Sequence, residues 1–329
     1  MIQLPILRGI SGIARPRRLM CLVGASGAGK STLLDVLAGR KTQGEETGRI
    51  ELNGRSTCKT ERAAQIAYCE QTDEHLPTMT VEESLDFSAR LRLDAEISND
   101  QDERKAFVLE IMKLLELDSI RRRPAGSLSV GEAKRLTIGC ELVSNPSVLF
   151  LDEPTTGLDA RSAVQVMHVL RNVAETGRTV ICTIHQPSYA VFSAFDDMLL
   201  LATGGRQIYF GPIGDHCDNF IAYMQRQRTV ARRPALVNPA TWVLNELEAE
   251  RQRVDAIISG RRGRRAPMAV TRDATPPEHL SDAVLALQTK SPLLHEAFAD
   301  SALLAATKRD IEACRTSGLA SLVTQRKQG

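Results

Sequence analysis

Three groups of residues along this chain are equipped for phosphate chemistry. Gly24-Ala25-Ser26-Gly27-Ala28-Gly29-Lys30-Ser31 fits the pattern G-x-x-x-x-G-K-[ST] of a phosphate-binding loop. Its glycines let the backbone turn sharply and come close to a ligand. Successive N–H groups then face one concavity, a nest for anions. The helix opening at Lys30, Ser31 and Thr32 adds the positive end of its dipole. Lys30 is placed to reach the β- and γ-phosphates of a nucleoside triphosphate, and the Ser31 hydroxyl to ligate Mg²⁺. The second group is Val148-Leu149-Phe150-Leu151-Asp152-Glu153, an apolar run ending in two acids. Asp152 at a strand end can hold Mg²⁺. Glu153, one residue on, points elsewhere and can polarise an attacking water as general base. The third group is Gln71 and His185, each just past a strand-like run. Gln71 offers a neutral amide to Mg²⁺ and to the water. His185 offers an imidazole to the γ-phosphate. Both are singled out because ligands bind beyond the carboxyl ends of strands in open α/β sheets.

These residues need a sheet whose strand ends meet. Leu19–Val23, Gln65–Cys69, Val148–Asp152, Thr179–Thr183 and Asp197–Leu201 read as strands. Thr32–Ala38, Val81–Leu93, Asp102–Leu117, Glu132–Val143 and Arg161–Thr176 read as helices. The alternation predicts an α/β fold with a mostly parallel sheet. Gly48–Gly54 reads as an extra antiparallel strand, and Arg206–Phe210 as the return of a hairpin turning at Thr203-Gly204-Gly205. The stretch from Thr78 to Leu117 reads as helical throughout, part of a helical insertion over about 72–145.

At 329 residues the chain has room for one large domain or two modest ones. A net charge of +2 gives no basic field for nucleic acid. The apolar runs are strand-sized, short of the roughly 20 residues a membrane helix needs. The start of the chain lacks the basic and apolar regions of a signal peptide. Seven scattered cysteines without C-x-x-C spacing support neither a disulfide framework nor a zinc site, and suit a reducing compartment. The composition places a boundary after Glu248: 1–248 as one domain, 249–329 as a charged linker and short helical tail. The linker expectation rests on Arg261-Arg262-Gly263-Arg264-Arg265-Ala266-Pro267 and Thr275-Pro276-Pro277, the tail on helical periodicity in Pro292–Ala313.

Further motifs carry a family resemblance. Leu128-Ser129-Val130-Gly131-Glu132 precedes Lys134-Arg135-Leu136-Thr137-Ile138-Gly139. Then come Leu151-Asp152-Glu153-Pro154-Thr155-Thr156-Gly157-Leu158-Asp159 and Thr183-Ile184-His185-Gln186-Pro187-Ser188. Together with the glycine loop they resemble the nucleotide-binding domain of ABC transporters. The Lys-Arg-Leu-Thr-Ile-Gly and Ile-His-Gln-Pro-Ser forms resemble the G subfamily. Leu34–Arg40 and Asn238-Pro239-Ala240-Thr241-Trp242 resemble its pleiotropic-drug-resistance branch. The likeness runs from about Leu7 to Glu248. It implies a P-loop NTPase with a RecA-like core, an antiparallel β edge subdomain and an inserted helical subdomain. It also implies ATP and Mg²⁺ as ligands. Gln71 resembles the Q-loop, Glu153 the catalytic base, Asp159 the D-loop aspartate and His185 the switch histidine. Two such domains close head to tail, so Ser129 and Gly131 would contact nucleotide held by the other domain. The resemblance further implies transmembrane domains as partners, the cytoplasmic face of a membrane as location, and export of drug- or lipid-like compounds driven by ATP hydrolysis.

The sequence departs from that pattern in three places. Val130 stands where the family signature has a glycine, and a β-branched residue disfavours positive φ and close backbone approach. This resembles the C-terminal nucleotide domain of drug-resistance transporters. No Phe, Tyr or Trp in Met1–Leu19 is present to stack on adenine. No membrane helices follow, which reads as a fragment or a subunit with a separate membrane partner. Two alternatives stand beside the transporter ATPase: a module that binds ATP with negligible turnover alone, and a soluble ABC ATPase of repair or translation.

Overall fold

The strands that carry the predicted chemistry lie side by side in one twisted sheet. The computed structural model describes residues 5–93, 95–227, 230–262, 294–299, 301–317 and 322–325. The elements of the first half are β1 (Gly12–Ala14), β2 (Leu19–Gly24), α1 (Lys30–Ala38), β3 (Arg49–Leu52), β4 (Arg55–Ser56), α2 (Lys59–Gln65) and β5 (Ile66–Cys69). Then follow α3 (Val81–Arg92), α4 (Ala95–Asn99), α5 (Gln101–Leu114), α6 (Val130–Leu142), β6 (Val148–Leu151) and α7 (Ala160–Glu175). After these come β7 (Thr179–Ile184), α8 (Tyr189–Phe192), β8 (Asp197–Ala202), β9 (Arg206–Pro212), α9 (Asp218–Gln225) and α10 (Pro239–Arg262). The six-stranded sheet has the order β5-β6-β7-β2-β8-β9, parallel except for the β8–β9 hairpin. Its strands are apolar on both faces, as a covered parallel sheet requires. Cys21, Val23, Leu149, Leu151, Val180 and Cys182 pack toward α6 and α7. Met20, Leu22, Phe150 and Ile181 pack on the other face with Leu33, Leu34 and Leu37 of α1.

Between β5 and β6 the chain is helical, but not in one run. Leu93 is extended, and Asp100 starts α5 afresh by accepting from the amides of Asp102 and Glu103. An acid that caps a new helix interrupts the old one, so the expectation of continuous helix from Thr78 to Leu117 is corrected to α3, α4 and α5. Gln65 likewise ends a short helix, α2, rather than starting β5.

A second sheet is antiparallel, with the order β1-β10-β3-β4, where β10 is Leu322–Gln325 near the chain's end. Helices at Leu294–Ala299 and Ala302–Ser317 precede it. Phe298, Ile311 and Cys314 are buried in the same cluster as Leu22, Phe150 and Phe210. Arg315 pairs with Glu51 of β3 at 2.9 Å. α10 runs through the boundary that composition placed after Glu248. The expected charged linker beyond Arg262 lies outside the described residues. No helix among the described residues is long and apolar enough to cross a membrane.

Candidate functional site

Parallel strands present their carboxyl ends along one edge, and the edge is read in the order β5, β6, β7, β2. Val23 pairs with Ile184, Leu151 with Cys182 and Cys69 with Leu151. Gln71, the Asp152–Glu153 pair, His185 and the glycine loop therefore all emerge from neighbouring strand ends.

The loop between β2 and α1 turns on Gly27 and Gly29, whose φ angles are 74° and 93°. Only glycine takes such values cheaply. The amide of Ala28 bonds to the carbonyl of Ala25 at 3.1 Å and closes the turn. α1 starts with Gly29 as N-cap and no side-chain cap, whereas α3, α6, α7 and α8 are capped by Thr80, Ser129, Asp159 and Ser188. The first-turn amides of α1, from Lys30, Ser31 and Thr32, are thus left for an external acceptor. An uncapped dipole end above two left-handed glycines fits a phosphate group. Lys30 is buried, and its Nζ donates to the carbonyls of Gly24 at 2.9 Å and Ala25 at 3.3 Å. Burial lowers its pKa, while Glu153 and Asp152 act in the opposite direction.

The acids past β6 have distinct surroundings. Asp152 Oδ1 accepts from the Ser31 hydroxyl at 3.2 Å and from the Thr183 hydroxyl at 2.5 Å. Ser31 and Asp152 are oxygen donors in direct contact, the donor chemistry Mg²⁺ takes. Glu153 sits at φ 49°, an uncommon conformation for a residue with a side chain. Its amide donates to Thr183 Oγ1 at 2.8 Å. Its Oε2 accepts from Thr156 Oγ1 at 2.9 Å and Gln71 Nε2 at 3.3 Å. The Gln71 amide is thus on Glu153 in this structure. His185 is exposed one residue beyond the Val23–Ile184 pair.

The signature residues lie apart from this cluster, at the start of α6. Ser129 caps α6 in a reciprocal pair with Glu132: the Ser129 amide donates to Glu132 Oε2 at 2.7 Å, and the Glu132 amide to Ser129 Oγ at 3.4 Å. Burial tends to raise the Glu132 pKa, but the Ser129 bonds and Arg123 outweigh it and hold the carboxyl below its usual value. Val130 is the first residue of α6, without positive φ. The backbone argument against a β-branched residue is therefore corrected, because this turn asks for ordinary helical angles. What remains is bulk: Val130 is 59% exposed, on the surface beside Ser129. Gly131 is buried, and a Cβ there would fall 2.9 Å from Ser162 Cβ. Asp159 caps α7, accepting from the Arg161 and Ser162 amides at 2.9 and 3.0 Å and from the Ser162 hydroxyl at 2.6 Å. Ser162 therefore joins Asp159 to Gly131.

Sequence reasoning missed three supporting residues. Thr183 is fully buried and touches both acids, and a lone hydroxyl ending the apolar run Val180-Ile181-Cys182 was the available signal. Lys134, 2% exposed, donates to the Gln71 carbonyl at 2.8 Å and pairs with Asp73 at 2.8 Å. Leu7 lies on the glycine loop, 2.8 Å from where a Gly29 Cβ would sit, and nothing in its spacing announces that.

Known proteins resemble this chain over much of its length. Residues 7–156 match a family model described as ABC transporter, and residues 185–254 one described as ABC-2 type transporter. ABC transporter G family member 36 of Arabidopsis thaliana is 49% identical over 247 residues, covering 74% of this chain and 17% of its own. Pleiotropic drug resistance protein 1 of Nicotiana tabacum is 50% identical over 248 residues, with coverages of 74% and 17%. The chain thus spans about a sixth of the length of these relatives. A crystal structure of an ATP-binding cassette of an ABC transporter in its ADP conformation superposes with a TM-score of 0.57 at 25% identity, over 65% of this chain and 87% of that one.

Proposed function

The chain belongs to the ABC transporter family, as an ATP-binding cassette of the G-family type, and on that premise we propose that it binds and hydrolyses Mg²⁺-ATP to drive export by a membrane transporter. One observation carries the reading: an uncapped helix start above left-handed glycines stands at the same sheet edge as two acids tied to one buried threonine. The loop amides and Lys30 hold the β- and γ-phosphates. Ser31 and Asp152, with Gln71 nearby, would hold Mg²⁺, which when bound offsets charge developing on the phosphate oxygens. Glu153 orients and deprotonates the water attacking in line on the γ-phosphorus. His185 contacts the γ-phosphate from the neighbouring strand. Left-handed backbone at Glu153 costs on the order of 1–3 kcal/mol, and such strain clusters at functional sites.

The partners proposed are those the family resemblance implies. A second cassette closing head to tail would bring its nucleotide to Ser129, Gly131 and Asp159. Transmembrane domains would dock on the helical insertion over 72–145. A groove of about 620 Å³ between α3 of that insertion and the β5 edge of the core, lined by Arg40, Tyr68, His75, Leu76, Phe87 and Arg92, supports that choice. The cassette would then lie on the cytoplasmic face of a membrane, with no role for nucleic acid. The exposed Val130 favours a second reading at one point: a cassette that binds ATP and turns it over little by itself.

Calorimetry on the full chain tests the proposal. We expect Mg²⁺-dependent affinity for ATP, retained in Glu153→Gln, with turnover in that variant falling by roughly 100-fold or more. Absence of Mg²⁺-dependent binding defeats the reading. Wild-type hydrolysis by Glu153→Gln removes Glu153 from its role.

A further inference from the structure

Asn238 stands outside the nucleotide site, yet one of its bonds ends inside the segment that carries His185. Its Nδ2 donates to the carbonyl of Pro187 at 2.7 Å. Its Oδ1 accepts from the Ala240 amide at 3.1 Å, and its main-chain carbonyl from the Trp242 amide at 2.9 Å. A single side chain thus caps α10 and holds the backbone two residues after His185. Both ends of this link are anchored. Pro187 is buried, and Ser188 beyond it caps α8 by accepting from the Val191 amide. Trp242 is 3% exposed, and its Nε1 donates to the Ala231 carbonyl at 3.2 Å. Ala240, Trp242 and Val243 share one apolar cluster with Val191 and Phe192 of α8.

Apolar contact between α8 and α10 is non-directional and tolerates small slides. An amide-to-carbonyl hydrogen bond does not, because it weakens steeply off its axis. The residue type is informative too. Asn, Asp and Ser cap a helix about equally well. Of these, only Asn combines the capping oxygen with an N–H donor on the same group. Capping alone does not explain Asn238; the bond to Pro187 does.

We infer that Asn238 is a positioning residue that ties the His185 segment to α10, so that the phosphate state at His185 and the placement of α10 are coupled. The inference rests on His185 meeting the γ-phosphate, as proposed above. It makes α10 the element through which the cassette reports a triphosphate as opposed to a diphosphate.

The chain supplies its own reporter, since Trp242 is its single tryptophan. The experiment uses the full chain with Mg²⁺ and either ADP or a non-hydrolysable ATP analogue. Calorimetry reads affinity and Trp242 emission reads α10. In the wild type, emission should differ between the two nucleotides. Asn238→Asp retains a cap for α10 and loses the donor; Asn238→Ser retains a cap, and its hydroxyl, one bond closer to the main chain than the amide nitrogen, falls short of the Pro187 carbonyl. Both should bind each nucleotide within about twofold of wild type and lose most of the emission difference. His185→Ala should lose it as well. Before any nucleotide is added, amide hydrogen exchange at Gln186 and Ser188 should rise several-fold in both Asn238 variants. A wild-type emission difference that survives in both variants overturns the coupling. So does a wild type that binds both nucleotides with identical emission, or unchanged exchange at Gln186 and Ser188. Failure of the wild type to bind either nucleotide is a separate result, read by calorimetry alone; it defeats the proposed function and the coupling with it.

Discussion

Glycine at position 131 answers two demands that look alike in sequence. The resemblance makes it a place where a partner's nucleotide comes close. The structure shows a nearer cause, the approach of α6 to Ser162 on α7, where an added Cβ would lie 2.9 Å from Ser162 Cβ. Its neighbour Val130 is exposed and helical, so nothing inside the molecule selects against its side chain. The two positions should separate experimentally. Gly131→Ala forces α6 from α7 and should destabilise the fold by about 1–3 kcal/mol. Val130→Gly should cost about 1 kcal/mol or less, the propensity difference near an exposed helix start. Denaturant midpoints on the two variants measure this, and an unshifted midpoint for Gly131→Ala would show that α6 slides freely. At Glu153 the same scale explains why Thr183 matters: its hydroxyl accepts from the Glu153 amide and donates to Asp152, fixing both acids relative to one strand.

Between elements, the most informative contacts join the segment after β5 to α6. Lys134 Nζ holds the Gln71 carbonyl and Asp73, Thr137 Oγ1 donates to Asp73 Oδ1 at 2.7 Å, and His75 Nε2 lies 2.9 Å from Thr137 Oγ1. The Gln71 loop is therefore fastened to the helix that Ser129 caps. A displacement of the helical insertion must move Gln71 and disturb its bond to Glu153. Breaking the fastening is expensive, because the largely covered Asp73 would lose its ion-pair partner. Lys134→Met should destabilise the protein by about 3 kcal/mol. It should also reduce turnover more than nucleotide affinity, since no phosphate-binding group is altered. Chemical denaturation with binding calorimetry checks both, and a turnover equal to wild type would show that Gln71 keeps its place unaided.

On the scale of the whole molecule, residues near the end of the sequence return to the part that holds the phosphate loop. The β10 strand lies between β1 and β3, which do not pair with each other. Phe298 is 2% exposed in the cluster that covers one face of the main sheet, and Arg315 neutralises Glu51, itself 2% exposed. These contacts make the segments 294–299, 301–317 and 322–325 part of the folded body. Phe298→Ala should cost about 3 kcal/mol or more, as for other large-to-small core changes. Thermal unfolding of the full chain measures it, and a melting temperature equal to wild type would show that this helix does not pack in solution.

Much of this fold was legible from local pattern. A helix or strand announces itself through periodicity, a cap or a glycine, all within a few residues of one another. The α/β alternation, the hairpin at Thr203-Gly204-Gly205 and the phosphate loop are of that kind. Legibility failed where a partner comes from afar. Nothing near Thr183 says that Asp152, 31 residues earlier, will lie beside it. Nothing near Asn238 points to Pro187, 51 residues before it, nor near Phe298 to the sheet it covers. The sequence by itself determined which groups can bind phosphate, metal and water, because that is a matter of residue type and short spacing. Only the tertiary structure decided their company, because strand order and helix packing set which distant side chains share one edge of the sheet.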